Sequence, residues 1–274
     1  MMRPKTTPLT TRERLHALLH ELNFKGMERV LDAELDRAER DAAPAAELVQ
    51  RLLIEQASFQ RERAMVNRLA KAHLPWQWTI DTFPFKQQPG VSKAQILALA
   101  GLDFVRRAEN LILIGGTGTG KTGIAMGLLR QACVNGWRGR FYNAQTLLDE
   151  LYASLADRST TKLLTALSRT QPLVIDELGY LNLKSEQVNA FFRLMDQRYG
   201  RVSTILTTNL DYPAWYGLFD NKPLVDALLD RLQHHCITIR IDGPSLRASA
   251  GCDAPASPAT STSPKRGHTQ HTAQ

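Results

Sequence analysis

Cysteine is scarce in this chain. The three that occur, Cys133, Cys236 and Cys252, lie far apart and form no CxxC pair, so no zinc ribbon or disulfide framework is legible. A reducing compartment fits that usage best. Long apolar runs are missing too: no stretch approaches the ~20 apolar residues of a membrane helix. The segment from Met1 to Arg14 is polar and basic where a secretory signal needs an apolar centre. These absences exclude a stapled secreted mini-protein and a membrane-spanning chain, and the expected location is the cytoplasm. Between positions 11 and 73 proline occurs only at Pro44, which leaves helices free to form. The last stretch, 248–274, has no Leu, Ile, Val or aromatic residue and is expected to be a disordered tail.

What is present is enough for a real core: 274 residues, 43% of them hydrophobic and 22% charged, in one or two domains. The formal charge of +7 points either to an acidic partner such as nucleic acid or to solubility alone. Leu15, Leu18, Leu19 and Leu22 fall on one helical face, and Leu48, Leu52, Glu55 and Phe59 continue the period. Positions 1–75 carry 13 basic and 11 acidic residues, as expected of a small all-helical N-terminal domain with solvated faces. A linker leading into the start of the next module, 76–109, follows. Its aromatic start, with Trp76, Trp78, Phe83 and Phe85, implies that it packs against something.

From Asn110 to Arg247 short β-rich runs alternate with helical segments, the pattern of a parallel five-stranded α/β sheet. Strands are expected at 111–114, 140–142, 173–175, 203–207 and 236–241. Between the first strand and a helix expected near Gly123 stands Gly115-Gly116-Thr117-Gly118-Thr119-Gly120-Lys121-Thr122, which satisfies G-x-x-x-x-G-K-[ST]. Glycines there let backbone N–H groups turn inward around phosphates, and the helix N-terminus adds positive potential. Lys121 would reach the β- and γ-phosphates of ATP, and the Thr122 hydroxyl would bind Mg²⁺. The overlapping run Gly118 to Gly123 also fits G-x-G-x-x-G. That dinucleotide fingerprint needs an acidic residue about 20 positions on, where this chain has Arg138-Gly-Arg-Phe-Tyr-Asn143.

Leu173-Val-Ile-Asp176-Glu177 reads as a buried strand ending in two carboxylates. In that place Asp176 would hold the Mg²⁺ shell, and Glu177 would orient and deprotonate the attacking water. Two further positions resemble those of AAA+ ATPases. Asn209, after the run Ser203 to Thr208, fits the residue that senses the γ-phosphate, or else simply starts a turn. Arg231, in Leu228-Leu-Asp-Arg-Leu-Gln-His-His235, fits the finger offered to a neighbouring subunit, or else a surface helix arginine. The run His234-His235-Cys236 alternates faces and has no further ligands nearby, which argues against zinc.

Taken together, the early helix Leu15–Lys25, the phosphate loop, Val174-Ile-Asp-Glu-Leu-Gly-Tyr180, Ile205-Leu-Thr-Thr-Asn209, Trp215, Asp230-Arg231-Leu232 and Ser245-Leu-Arg247 resemble the IstB family of transposition helper ATPases. These are relatives of the DnaC helicase loader in the initiator clade of AAA+ proteins. The resemblance implies a P-loop NTPase that forms a homo-oligomer with shared ATP sites on double-stranded DNA and serves a cognate transposase. The family's closing Ser-Tyr-Arg reads Ser245-Leu246-Arg247 here. Only the polar tail follows, so a helical lid with a second sensor arginine is expected to be missing and nucleotide closure to come from the neighbour.

Positions 111–175 hold seven basic residues against three acidic, whereas 176–247 hold eight against nine. In the initiator clade an extra helical element between the second strand and the Asp-Glu strand faces the central channel, and 147–169 fills that interval. Arg158, Lys162 and Arg169 are therefore candidate DNA-phosphate contacts, or else a solvated helix face. Two other readings stand beside transposition. One is a replicative helicase loader, and the other a nucleotide-gated module without turnover, which the intact Glu177 argues against.

Overall fold

The structure, a computed structural model, describes residues 9–249 apart from 180, 182, 220 and 221. The expected tail therefore lies almost wholly outside the described residues. Three helices open the chain: α1 (Thr11–Glu21), α2 (Lys25–Arg40) and α3 (Ala45–Lys71). Thr10 and Glu13 cap α1 reciprocally, the Glu13 N–H donating to Thr10 Oγ1 and the Thr10 N–H to Glu13 Oε2. The first N–H groups of α2 have no such neighbour in sequence. Gln56 of α3 supplies it instead, its Oε1 accepting from Gly26 N at 2.8 Å and Met27 N at 3.2 Å. That bond pins α2 against α3 where Met27 and Leu31 are buried.

Helix α3 does not stop at the hairpin. Its Arg68 Nε donates to the Cys133 carbonyl, and the Ala72 carbonyl just beyond its end accepts from Phe141 N at 2.8 Å. The segment read as a linker is likewise packed. Ile80, Phe83 and Val91 are buried, and α4 (Lys93–Ala100) and α5 (Asp103–Arg106) add Ile96, Leu99, Phe104 and Val105.

The sheet has five parallel strands: β1 (Asn110–Gly115), β2 (Arg140–Asn143), β3 (Leu173–Asp176), β4 (Thr204–Thr208) and β5 (Cys236–Ile241), in the order β2-β3-β4-β1-β5. Each observed strand lies within a residue of the expected one. Alternation along β1 divides the core: Leu111 and Leu113 face α6 (Lys121–Val134) and the 80–105 segment, while Ile112 and Ile114 face the opposite layer. That second layer is α7 (Ala144–Ala156), α8 (Thr160–Ser168), α9 (Ser185–Arg198), α10 (Trp215–Phe219) and α11 (Lys222–His234). A short helix, α12 (Leu246–Ser249), follows β5.

Arg198 sits inside this second layer at 1% exposure with no carboxylate beside it among the described residues. Its guanidinium donates to the carbonyls of Leu167, Thr170 and Ser203 and to Thr204 Oγ1. Burial lowers its pKa to about 9, still above neutral pH, so the fork remains charged and ties α8 and α9 to the start of β4.

Candidate active site

Parallel strands in an open α/β sheet present their C-terminal ends as a common edge, and the predicted nucleotide residues gather there. The loop from β1 to α6 turns through two left-handed glycines, Gly118 at φ +80° and Gly120 at φ +93°. Neither tolerates a side chain. A Cβ at Gly118 would fall on Ser245 Oγ, and one at Gly120 would meet the Phe83 ring at 2.8 Å. Helix α6 starts at Lys121, two residues earlier than expected, because Gly120 serves as its N-cap in αL geometry. Thr119 closes the turn by donating from Oγ1 to the Gly116 carbonyl.

Lys121 Nζ donates to the carbonyls of Gly115 and Gly116 at 2.8 and 2.7 Å, at the mouth of the loop. Burial pulls its pKa below the ordinary lysine value, Asp176 and Glu177 oppose that shift, and Arg247 adds to it. Thr122 Oγ1 donates to both oxygens of Asp176, at 2.9 and 3.1 Å. A hydroxyl beside a buried carboxylate is an oxygen donor pair of the kind that holds Mg²⁺ together with phosphate oxygens, so these residues fit the ion. Burial raises the Asp176 pKa, and hydrogen bonds from Thr207 and Thr122 work against the rise.

Glu177 follows directly, exposed and in the left-handed region at φ +61°. That strained turn takes the second carboxylate off the end of β3 while Asp176 stays in it. Two residues not singled out from sequence hold the pair. Thr207 Oγ1, fully buried on β4, donates to Asp176 Oδ1 at 2.5 Å and accepts from the Glu177 N–H at 2.9 Å. Asn143, at the end of β2, donates from Nδ2 to Glu177 Oε2 at 3.0 Å while its Oδ1 caps α7. Asn209, the expected sensor, sits just past β4 with its side-chain oxygen against Gly179. Phosphate loop, Asp176, Glu177 and Asn209 therefore share one edge.

The remaining expected residues stand elsewhere. Arg231 on α11 pairs with Asp196 Oδ1 at 3.1 Å and lines a small recess with Asn110, at the end of β1 opposite Gly115. It takes no part in its own chain's phosphate site. Arg158, Lys162 and Arg169 are exposed, on the turn before α8, its first turn and its C-cap. Lys162 and Arg169 are two helical turns apart and so share a face, about 10 Å from one to the other.

After β5 the backbone returns over the loop, Leu246 N donating to the Gly118 carbonyl at 2.9 Å, so the closing Ser245-Leu-Arg247 lies against the phosphate loop of its own chain. Among the described residues no cluster of three or more His, Cys, Asp or Glu could hold a metal, and no helix is long and apolar enough to cross a membrane.

Known proteins resemble this chain over most of its length. The IS21 insertion-sequence protein of Pseudomonas aeruginosa, whose name describes it as ATP-binding, is 35% identical over 233 residues, spanning 85% of this chain and 88% of that protein. The corresponding IS5376 protein of Geobacillus stearothermophilus is 31% identical, over 86% of this chain and 94% of its own length. Among solved structures, the DnaC helicase loader superposes with a TM-score of 0.53 at 23% identity, covering 61% of this chain and 98% of that one. The replication initiator DnaA bound to AMPPCP and single-stranded DNA superposes at 0.52 and 17% identity, over 62% and 51%. Both share the AAA+ fold of the sheet and its helices. The profile of the family described as IstB-like ATP binding protein matches residues 17–254, and the chain belongs to that family.

Proposed function

We propose that this protein is an ATPase that assembles on double-stranded DNA through shared nucleotide sites and serves the transposase of an insertion sequence. The observation that carries the catalytic part is the linked set Thr122, Asp176, Thr207, Glu177 and Asn143, in which a buried carboxylate and an exposed one are held by separate partners. The insertion-sequence relatives support the transposition part.

Lys121 and the inward N–H groups of the loop would bind the β- and γ-phosphates. Thr122 and Asp176 would hold Mg²⁺, which supplies neutralising charge to the phosphates. Glu177 would accept the proton of the water that attacks the γ-phosphorus as the bond to the ADP oxygen breaks. Asn143 holds one Glu177 oxygen, which fixes the other as the free base. Asn209 would orient the water or the γ-phosphate, and Arg231 would reach the site of an adjacent copy.

Lys121→Ala should lose ATP binding, whereas Glu177→Gln should bind ATP and stall. Parent-rate hydrolysis by Glu177→Gln refutes the base assignment. For the DNA role, gel-shift titration should show duplex binding that depends on ATP. Single-strand preference would favour a helicase loader, and no DNA binding in any nucleotide state removes the transposition reading.

A further inference from the structure

We infer that Gln88 is a positioning residue of the nucleotide site, a clamp that joins the phosphate loop to the segment after β5 and thereby sets where Ser245 to Arg247 cross the loop. The inference rests on the reading of Gly115–Thr122 as the nucleotide loop. Gln88 is fully buried. Its Nε2 donates to two carbonyls from distant parts of the chain, Thr119 at 3.1 Å and Pro244 at 2.9 Å. Of the two ends of the side-chain amide only the nitrogen can donate, so the two facing carbonyls settle which way the side chain points.

The other end of the amide lies over Gly243, where a Cβ would collide with it, and Oε1 has no hydrogen-bond partner among the described residues. A buried acceptor left without a partner opposes folding. The arrangement that incurs this penalty spends both N–H groups on the two strips of backbone that frame the phosphate site. Two residues on, a Cβ at Gly90 would press on the Asp242 carbonyl, so 88–90 and 242–244 lie backbone to backbone.

From Pro244 the chain crosses the loop. Leu246 N donates to the Gly118 carbonyl, Ser245 Oγ covers Gly118, and the Arg247 N–H donates to Ser245 Oγ at 3.3 Å. The phosphate loop is thus gripped at Thr119 by Gln88 and at Gly118 by Leu246, and both grips pass through 244–246. Without the clamp the crossing segment is held to the loop only from its own side, by Ser245 and Leu246, and the arginine at its end loses its fixed place beside the loop.

Binding of a fluorescent ATP analogue to the full-length protein tests this, with circular dichroism to confirm folding. Gln88→Leu, which removes both donors, should weaken affinity about tenfold, the scale of one to two hydrogen bonds. Gln88→Glu should weaken it more, because a carboxylate would face two carbonyl oxygens. Arg247 is exposed, so Arg247→Ala probes the same device without burdening the core and should weaken binding about fivefold, a charged contact at an exposed site. In that background Gln88→Leu should change affinity by less than about twofold, since coupled residues are not additive. Parent affinity for Gln88→Glu or Arg247→Ala, or an undiminished Gln88→Leu effect in the Arg247→Ala background, overturns the clamp. Parent affinity for Lys121→Ala overturns the nucleotide-loop reading instead.

Discussion

Thr207→Val removes one oxygen atom and leaves the shape of the side chain almost unchanged. In the folded protein that oxygen has two tasks, donating to the buried Asp176 carboxylate and accepting from the backbone of Glu177. A hydrogen bond to a charged group contributes about 1.5–3 kcal/mol and one between neutral groups about 0.5–1.5 kcal/mol. The hydroxyl and Asp176 lie where water has little access, Asp176 at 4% exposure, so the valine protein should lose about 2–4 kcal/mol of unfolding free energy. The Glu177 turn, at φ +61°, also loses the bond that holds its amide. Turnover should therefore fall at least about tenfold beyond any loss of nucleotide affinity, since a base misplaced by even 1 Å forfeits that much or more. Urea unfolding gives the first number and single-turnover ATP hydrolysis the second. Thr207→Ser keeps the hydroxyl and should restore most of both. Parent stability together with parent turnover in Thr207→Val refutes the claim that this hydroxyl organises the two carboxylates.

Two further outcomes follow from charge placement. Arg231→Ala should retain ATP binding while turnover drops by about 10³, as for other arginine fingers, and mixing it with Lys121→Ala protein should restore part of the activity. No rescue in mixtures that demonstrably co-assemble rules out the shared site. Duplex binding should weaken steeply with salt, and neutralising Arg158, Lys162 or Arg169 should each lower the logarithmic salt slope by about one; an unchanged slope in all three removes these residues from the DNA surface.

Much of the nucleotide-binding module is readable in sequence because its signals are local. A strand such as Leu173–Asp176 declares itself by four consecutive buried residues, and the phosphate loop by glycines at fixed offsets. Thr207 and Asn143 were not singled out for a different reason. Each looks like an ordinary strand-end polar residue until the order β2-β3-β4 sets both beside β3. Gln88 is further removed, since its two acceptors lie 31 and 156 positions away. The segment around it looks like a linker because Pro and aromatic residues mark an irregular backbone, and they do so equally whether that backbone is solvated or, as here, wrapped on the helix after the loop. At Arg247, a four-residue helix too short to have a periodic signature carries the residue back over the site.

Helix α3 gives the molecule a mechanical character. Over its 27 residues it contains neither glycine nor proline, and at 1.5 Å per residue it spans about 40 Å. Its middle is bolted to α2 through Gln56 and Gly26, while its C-terminal end is fastened to α6 by Arg68 and to the edge strand β2 by the Ala72 carbonyl. A load applied to the hairpin has no soft joint along α3 in which to dissipate. It arrives at β2, whose last residue, Asn143, holds the Glu177 carboxylate. The helix is a lever arm with its fulcrum beside the Glu177 carboxylate.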